Sequence, residues 1–156
     1  MFTVRRTTDA DAPALDALLR REEYNLADGY SEGLPADWPS WIAVCDACGV
    51  VALLEGEFDD YFGARHAPAE HPAPQAFVAG LFVARGHRRR GVGRLLLQQF
   101  AAEARDAGYT FLTLIADHGD GLADRVEFFR QCGLASLTPE DPDVAFGAPV
   151  ISLLGA

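Results

Sequence analysis

The middle of the chain carries a cluster of arginines and glycines that could hold a multiply charged anion. The five arginines fall within ten residues: Arg85, Arg88, Arg89, Arg90 and Arg94. Gly91 and Gly93 lie among them, between an apolar run at 76–83 and a helical pattern that starts near Val92. A residue without Cβ lets a ligand approach the backbone closely. The first turn of a helix adds free N–H groups and the positive end of the helix dipole. Together these features indicate a phosphate-binding loop.

The arginines strengthen this interpretation because they are placed unfavourably for a helix without a ligand. A cation near a helix N-terminus costs about 0.3–1 kcal/mol, and an anion with several charges, such as a pyrophosphate with a ribose phosphate, would reverse that penalty. The alternative is a solvated basic turn that caps a helix. The stretch is not a dinucleotide fingerprint, which needs three glycines and an acidic residue about 20 positions later. Asp106 is too near and belongs to the same helix.

A second pattern, Cys45-x2-Cys48 followed by His66-x4-His71, has a spacing close to that of a zinc site. The two cysteines span a predicted hairpin turn, which is a favourable geometry for a metal knuckle. The residues between the two pairs are predicted largely as strand and not as a finger helix. The interpretation that we favour is therefore a plain turn and a loop with solvated histidines, with no metal bound.

Composition excludes several classes of function. The chain has 156 residues, 49% of them hydrophobic, which predicts a single domain over residues 1–156 with a substantial core. A net charge of -10 argues against nucleic-acid binding through a basic face. All 13 basic residues are arginines, so a phosphate-loop NTPase or a Schiff-base enzyme, which need a lysine, are excluded.

The same inspection predicts a cytoplasmic protein without membrane contact. No apolar run approaches the roughly 20 residues of a membrane-spanning helix, and no apolar signal-peptide core follows the N-terminus. Three cysteines do not make a disulfide framework, and Cys132 is predicted to be buried near a helix end.

Hydrophobic periodicity predicts the elements that position the arginine cluster. The predicted strands are 2–8, 41–44, 50–54, 76–83, 111–116 and 150–154. The first helix follows an N-cap formed by Thr8 with Asp11. The other predicted helices are a short helix within 24–40, a helix at 92–107 and a helix at 122–132. Strand 111–116 has little polar content, so it should be central and covered on both faces.

The stretch 81–96 resembles motif A of the GNAT acetyltransferases, Gln/Arg-x-x-Gly-x-Gly/Ala. Arg88, Gly91 and Gly93 fill the motif, and Val83 stands at the apolar position five residues before the arginine. The opening at 3–11 is similar to the first strand and helix start of that family. Residues 128–134, Phe-Phe-Arg-Gln-Cys-Gly-Leu, look like a second family landmark, Phe-Tyr-x-x-x-Gly-Phe.

The resemblance implies a fold, an activity and a co-substrate. The expected fold is α/β (α+β), with a mixed, mostly antiparallel sheet of six to seven strands flanked by about four helices. The expected activity is direct transfer of the acetyl group of acetyl-CoA to an amine. The strand end at Leu81, Phe82 and Val83 would then bind pantetheine. The loop and helix start would hold the phosphates through Arg88, Arg89, Gly91, Val92, Gly93 and Arg94.

The sequence departs from the family pattern at the second landmark. Many members carry a tyrosine there that protonates the leaving thiolate, and this chain has Phe129; the asparagine frequent seven positions earlier is Leu122. A phenyl ring donates no proton. Another group or water would then protonate the thiolate, or, as an alternative function, the protein is an acyl-CoA binding module without turnover.

Direct transfer needs a neutral amine, so a base must remove its proton. The candidates are Asp117 and His118, which follow the central strand at its carboxyl end, and Glu55, which with Glu57 extends a strand before a long loop. The alternative for each is an ordinary loop or strand-end residue.

The acceptor is expected to be a small-molecule amine or a peptide N-terminus. The net negative charge of the chain favours a cationic amine. Three aromatic residues lie where the family builds its acceptor pocket, and they could equally be packing residues: Tyr24, Tyr30 and Trp38. A homodimer is left open.

Overall fold

The computed structural model describes residues 1–22, 39–116, 121–141 and 144–155. It contains seven strands: β1 Phe2–Arg6, β2 Ser40–Cys45, β3 Gly49–Asp60, β4 Gln75–Val83, β5 Phe111–Ile115, β6 Ala135–Ser136 and β7 Ala145–Pro149. The three described α-helices are α1 Ala12–Arg21, α2 Val92–Asp106 and α3 Leu122–Gln131. Short 3-10 helices cover Asp9–Asp11, Gly63–His66, Arg85–His87 and Val150–Leu153.

The strands form one mixed sheet in the order β1-β2-β3-β4-β5-β7-β6. β4 and β5 are parallel, whereas β1 with β2, β2 with β3, β5 with β7 and β6 with β7 are antiparallel. The expected mixed, mostly antiparallel sheet is therefore confirmed. The short helix predicted within 24–40 falls mainly on residues outside the described part of the chain.

The first helix begins as its sequence predicts. The Thr8 N–H donates to Asp11 Oδ2 at 2.7 Å, and Arg5 clamps the same carboxylate with two bonds of 2.8 Å. Hydrogen bonding from Arg5 holds the pKa of Asp11 well below its usual range. Leu15, Leu18 and Leu19 form the buried stripe of α1.

Strand β5 is central, as predicted, and lies between β4 and β7. Phe111, Leu112, Thr113 and Leu114 are all buried. A parallel strand covered on both faces needs a nearly continuous apolar run, which this segment supplies.

The predicted last strand at 150–154 is wrong. The strand lies directly before it, in β7, which pairs with β5 from Phe111↔Pro149 to Ile115↔Ala145. Residues Val150–Leu153 form a 3-10 helix, in which Val150 and Leu153 are buried three positions apart, matching the period of that helix. The two-residue strand β6 had no sequence signal.

The chain divides into two compact units. The first comprises residues 1–56 and 80–99, with Leu18, Trp41 and Leu53 in its core. The second comprises residues 57–79 and 100–156, with Phe100 and Phe146 in its core. The whole predicted phosphate loop belongs to the first unit, and Phe129 belongs to the second. In the described parts of the chain, no helix is both long and apolar enough to cross a membrane.

Candidate functional site

The arginine cluster lies on the connection between β4 and α2. Val83 ends β4, and the Ala84 N–H donates to Val51 O at 2.8 Å, which fixes the exit of the chain from the sheet. One 3-10 turn follows over Arg85–His87. Helix α2 then begins with the Leu95 N–H donating to Gly91 O at 3.0 Å. The N–H groups of its first turn have no carbonyl partner within the helix.

The backbone of this loop twice adopts the left-handed conformation. Arg89 has a φ of 64° and Gly91 a φ of 80°. The left-handed region costs a residue with a Cβ roughly 1–2 kcal/mol, so the backbone angle at position 91 favours glycine, whereas Arg89 bears this cost. A Cβ placed on Gly91 would meet nothing within 4 Å, so space is open beside this backbone. Loops of this kind turn successive N–H groups to one side and are typical of anion sites.

All five arginines of the cluster are exposed. Arg88 is the most firmly placed, because its Nε donates to Val83 O at 2.9 Å. A guanidinium has five N–H donors, and this bond uses one of them. The structure thus brings together two residues that the resemblance assigns to different parts of the co-substrate, one to the phosphates and one to pantetheine.

A glutamate that sequence reasoning missed anchors the loop. Glu22, at the end of α1, accepts a 2.6 Å hydrogen bond from the Arg85 N–H. The two residues are 63 positions apart, and nothing in the local sequence of either one signals the contact. The start of the loop is therefore fixed to α1 as well as to β4.

The first half of strand β4 is buried, and its second half is more exposed. Its described register with β5 runs from Ala76↔Leu112 to Val78↔Leu114. Residues up to Val78 are buried, Ala79 is exposed, and Leu81 and Val83 are half-buried, whereas Phe82 points to the core and is 5% exposed. The strand end predicted to bind pantetheine is thus the more accessible half of β4.

Glu55 is a buried carboxyl group in the first unit. It lies opposite Ser40 in the β2–β3 register and is 2% exposed. Its Oε2 atom and the Ser40 Oγ atom are buried without a hydrogen-bond partner among the described residues. Burial raises the pKa of Glu55 to about 7. A carboxyl group with such a pKa can accept and release a proton near neutral pH.

Glu57 has a different setting, in the second unit. Its pKa is raised by burial, by a hydrogen bond with Asp60 and by the charges of Asp60 and Asp59. Asp60 itself accepts hydrogen bonds from the Gly63 and Ala64 N–H groups at 2.6 and 3.2 Å. Glu57 thus lies among carboxylates that order a turn, which suits a structural role.

Phe129 is part of the core of the second unit. It is 7% exposed, and its ring lies 5.5 Å from Phe146 and 6.0 Å from Phe128 between centroids. The position at which the resemblance expects a phenol is therefore filled by a packed hydrocarbon ring.

The structure does not describe the other candidate bases or the aromatic residues of the expected acceptor pocket. These are Asp117, His118, Tyr24, Tyr30 and Trp38.

The four-residue zinc pattern is not the group that the structure assembles. His71 Nδ1 lies 2.9 Å from Thr110 Oγ1, and the ring packs against Phe111. A different histidine, His87, comes to the cysteine pair: ligand atoms of Cys45, Cys48 and His87 all lie within 4.8 Å of one another.

Comparison with known proteins gives one family and many similar folds. The model of the acetyltransferase (GNAT) family matches residues 12–134. No curated protein matches this sequence.

Three similar solved structures have low sequence identity. The GNAT family N-acetyltransferase YhbS from Escherichia coli, in complex with CoA, is 19% identical with a TM-score of 0.61 and covers 99% of this chain and 86% of its own. A GNAT family acetyltransferase from Staphylococcus aureus Mu50 is 12% identical with a TM-score of 0.65, covering 96% and 99%. The ribosomal-protein-S18-alanine N-acetyltransferase from Escherichia coli is 15% identical with a TM-score of 0.64, covering 100% and 96%.

Proposed function

This chain belongs to the GNAT family of acetyltransferases, whose co-substrate is acetyl-CoA, and we propose that it transfers the acetyl group directly to an amine. The observation that carries the proposal is the connection from β4 to α2. There an exposed group of arginines surrounds an open, left-handed backbone at the N-terminus of a helix. Such an arrangement suits a ligand with several phosphate charges.

The proposed binding site divides between the loop and the strand. Backbone N–H groups of Gly91, Val92 and Gly93 hold the pyrophosphate, since the first turn of α2 leaves them without helical partners. Arg88, Arg89 and Arg94 add charge-assisted contacts to the phosphates. The backbone of Leu81, Phe82 and Val83 pairs with pantetheine, and the half-buried side chains of Leu81 and Val83 support that assignment.

Glu55 is the proposed general base among the described residues. The amine nitrogen attacks the thioester carbon, its proton passes to the Glu55 carboxylate, and the C–S bond then breaks to release the CoA thiolate. A base is most effective when its pKa is near the working pH, and burial gives Glu55 a pKa of about 7. The unpartnered Oε2 atom leaves an acceptor available for this proton. Asp117 and His118 are the alternative bases.

The leaving thiolate takes its proton from a group other than residue 129. Phe129 has no acidic proton, and its ring is packed against Phe146. Water is the proposed donor, since a thiolate with a pKa near 8.5 needs no strong acid at neutral pH.

The proposed acceptor is a cationic small-molecule amine or a peptide N-terminus. The net charge of -10 favours the approach of a cation. A peptide acceptor agrees with one structural neighbour, which is a ribosomal-protein-S18-alanine N-acetyltransferase.

A panel assay tests the proposed reaction. Free CoA thiol is measured as it forms from acetyl-CoA in the presence of polyamines, aminoglycosides, amino acids and short peptides. We expect release above the amine-free rate with at least one acceptor, together with an acetylated product by mass spectrometry. Tight acetyl-CoA binding with no thiol release on any amine would instead support a binding module without turnover.

A further inference from the structure

Two cysteines and one histidine, which come from separate elements of the first unit, form a cluster that the acetyl-transfer chemistry does not use. Cys45 ends β2, Cys48 precedes β3, and His87 ends the 3-10 turn of the phosphate loop. The thiol sulfurs and one ring nitrogen lie within 4.8 Å of one another. Sulfur and imidazole nitrogen are the ligands that Zn²⁺ takes in most protein sites.

The cysteine turn already has the form of a metal knuckle. The Cys48 N–H donates to Cys45 O at 3.3 Å, and Gly49 closes the turn with a φ of 80°. The backbone N–H groups of Ala47 and Cys48 hydrogen-bond to the Cys45 sulfur. These two backbone N–H groups would also stabilise a metal-bound thiolate at Cys45.

His87 is held at the cluster by its backbone and by one ring contact. Its N–H donates to Ala84 O at 2.9 Å, and its ring meets the edge of Phe2 at 6.0 Å between centroids. The Nδ1 atom is buried and has no hydrogen-bond partner among the described residues. Buried polar atoms are nearly always satisfied, so a bound ion would account for an imidazole in this place.

We propose that Cys45, Cys48 and His87 bind a zinc ion that joins the β2–β3 turn to the phosphate loop. Tetrahedral zinc with sulfur and nitrogen ligands holds its donor atoms about 3.5–3.8 Å apart. The widest pair of the cluster must therefore close by about 1 Å, which side-chain rotation can supply. Three protein ligands leave the fourth position of the ion for water.

Charge and ligand type both select this class of ion. Arg90 and Arg21 place positive charge near Cys48. A divalent cation bound there is therefore stable only if its own ligands carry compensating negative charge. Two thiolates together with a neutral imidazole balance the charge of a divalent ion. Calcium and magnesium prefer oxygen ligands, which this cluster does not offer.

The proposed ion links the turn to the loop next to Arg88, which neighbours His87 in the chain. It would keep the loop in position whether or not acetyl-CoA is bound. The inference therefore does not depend on the proposed acetyl transfer.

Zinc titration of the reduced, chelator-stripped protein tests the site. Untagged protein is dialysed against Zn²⁺-free buffer under reductant, and Zn²⁺ is added in competition with a chromophoric chelator. We expect one equivalent of Zn²⁺ per chain, and Co²⁺ in its place should give the absorption of a tetrahedral thiolate complex. Cys48→Ser and His87→Ala should each lose that equivalent, whereas Cys132→Ser and His71→Gln, which change residues outside the cluster, should keep it.

Circular dichroism shows whether each variant is folded, and Cys48, being exposed, gives the variant least apt to disturb the fold. A full equivalent bound by folded His87→Ala would overturn the assignment of His87. Zinc binding to wild type no tighter than to Cys48→Ser would overturn the site. A Cys45–Cys48 disulfide that forms under the same reductant, with no zinc retained, would overturn it as well.

Discussion

The β4–α2 loop and helix α3 each carry a sequence landmark of the family. The two landmarks differ in how exposed their residues are. In the loop, the arginines are exposed, and the backbone beside Gly91 is open. In α3, the landmark position is Phe129, 7% exposed and packed against Phe146. One landmark is exposed and has open space beside its backbone, and the other is part of a core.

The two landmarks correspond to two separate requirements of acetyl transfer, which are binding of the co-substrate and transfer of protons. Phosphate binding depends mostly on backbone N–H groups and on positive charge, and the chain retains both. Proton transfer depends on a group with a suitable pKa, and that group differs from the tyrosine of the landmark. Glu55, buried on β3, is the described residue with the most suitable environment.

Replacing Glu55 should produce the largest effect. Glu55→Gln keeps the shape of the side chain and removes the base, so we expect turnover to fall by about 10²–10⁴-fold. Acetyl-CoA affinity should be unchanged, because the phosphate loop is untouched. Steady-state kinetics on an accepted amine, with calorimetry for binding, would measure both.

Glu127→Gln is the matched control, since Glu127 is an exposed glutamate on α3. It should turn over like wild type. If Glu55→Gln also retains full turnover, the base is elsewhere, and Asp117 and His118 become the residues to change.

The pKa of Glu55 also predicts how stability depends on pH. A carboxyl group whose pKa rises from 4.5 to about 7 on folding gives stability that is fully present below the unfolded pKa and is lost as pH rises through the folded pKa. Between about pH 4 and pH 8, wild type should therefore lose about 3 kcal/mol of unfolding free energy relative to Glu55→Gln. Urea unfolding at several pH values would measure this, and parallel pH profiles for the two proteins would contradict the raised pKa.

Phe129→Tyr should produce the smallest effect. It restores a phenol at the second landmark, and we expect a rise in turnover of less than about tenfold, with unchanged acetyl-CoA affinity. A hydroxyl placed in the Phe146 contact should also cost about 1 kcal/mol or more of stability. Kinetics and thermal unfolding would measure the two effects, and a folded variant with tenfold slower turnover would show that the ring itself supports catalysis.

The connection from β4 to α2 could be predicted from the sequence because its information is local. A strand, two glycines, a run of arginines and a helix start all fall within about twenty consecutive residues, and each has its own physical signature. The N-cap at Thr8 and Asp11 was predictable for the same reason, and the structure has both hydrogen bonds of the capping pair.

The remaining features depend on residues that are distant in sequence. The pKa of Glu55 results from burial opposite Ser40, and the contact of Glu22 with Arg85 spans 63 positions. His87 lies among the arginines of the loop in the sequence, and only the fold brings it to Cys45 and Cys48. The pattern at 150–154 resembled a strand, but β5 already pairs with the five residues before it.

Calorimetric titration of acetyl-CoA into wild type, Arg88→Ala and Gly91→Trp tests the role of the loop most directly. Arg88→Ala should remove about 1.5–3 kcal/mol of charge-assisted bonding, a loss of roughly 10- to 100-fold in affinity. Gly91→Trp should lower affinity at least as much, because the side chain strains the loop and covers the helix amides. Arg105→Ala, which removes an exposed arginine at the other end of α2, should bind like wild type. Wild-type affinity in folded Arg88→Ala and Gly91→Trp would contradict the assignment of this loop to acetyl-CoA.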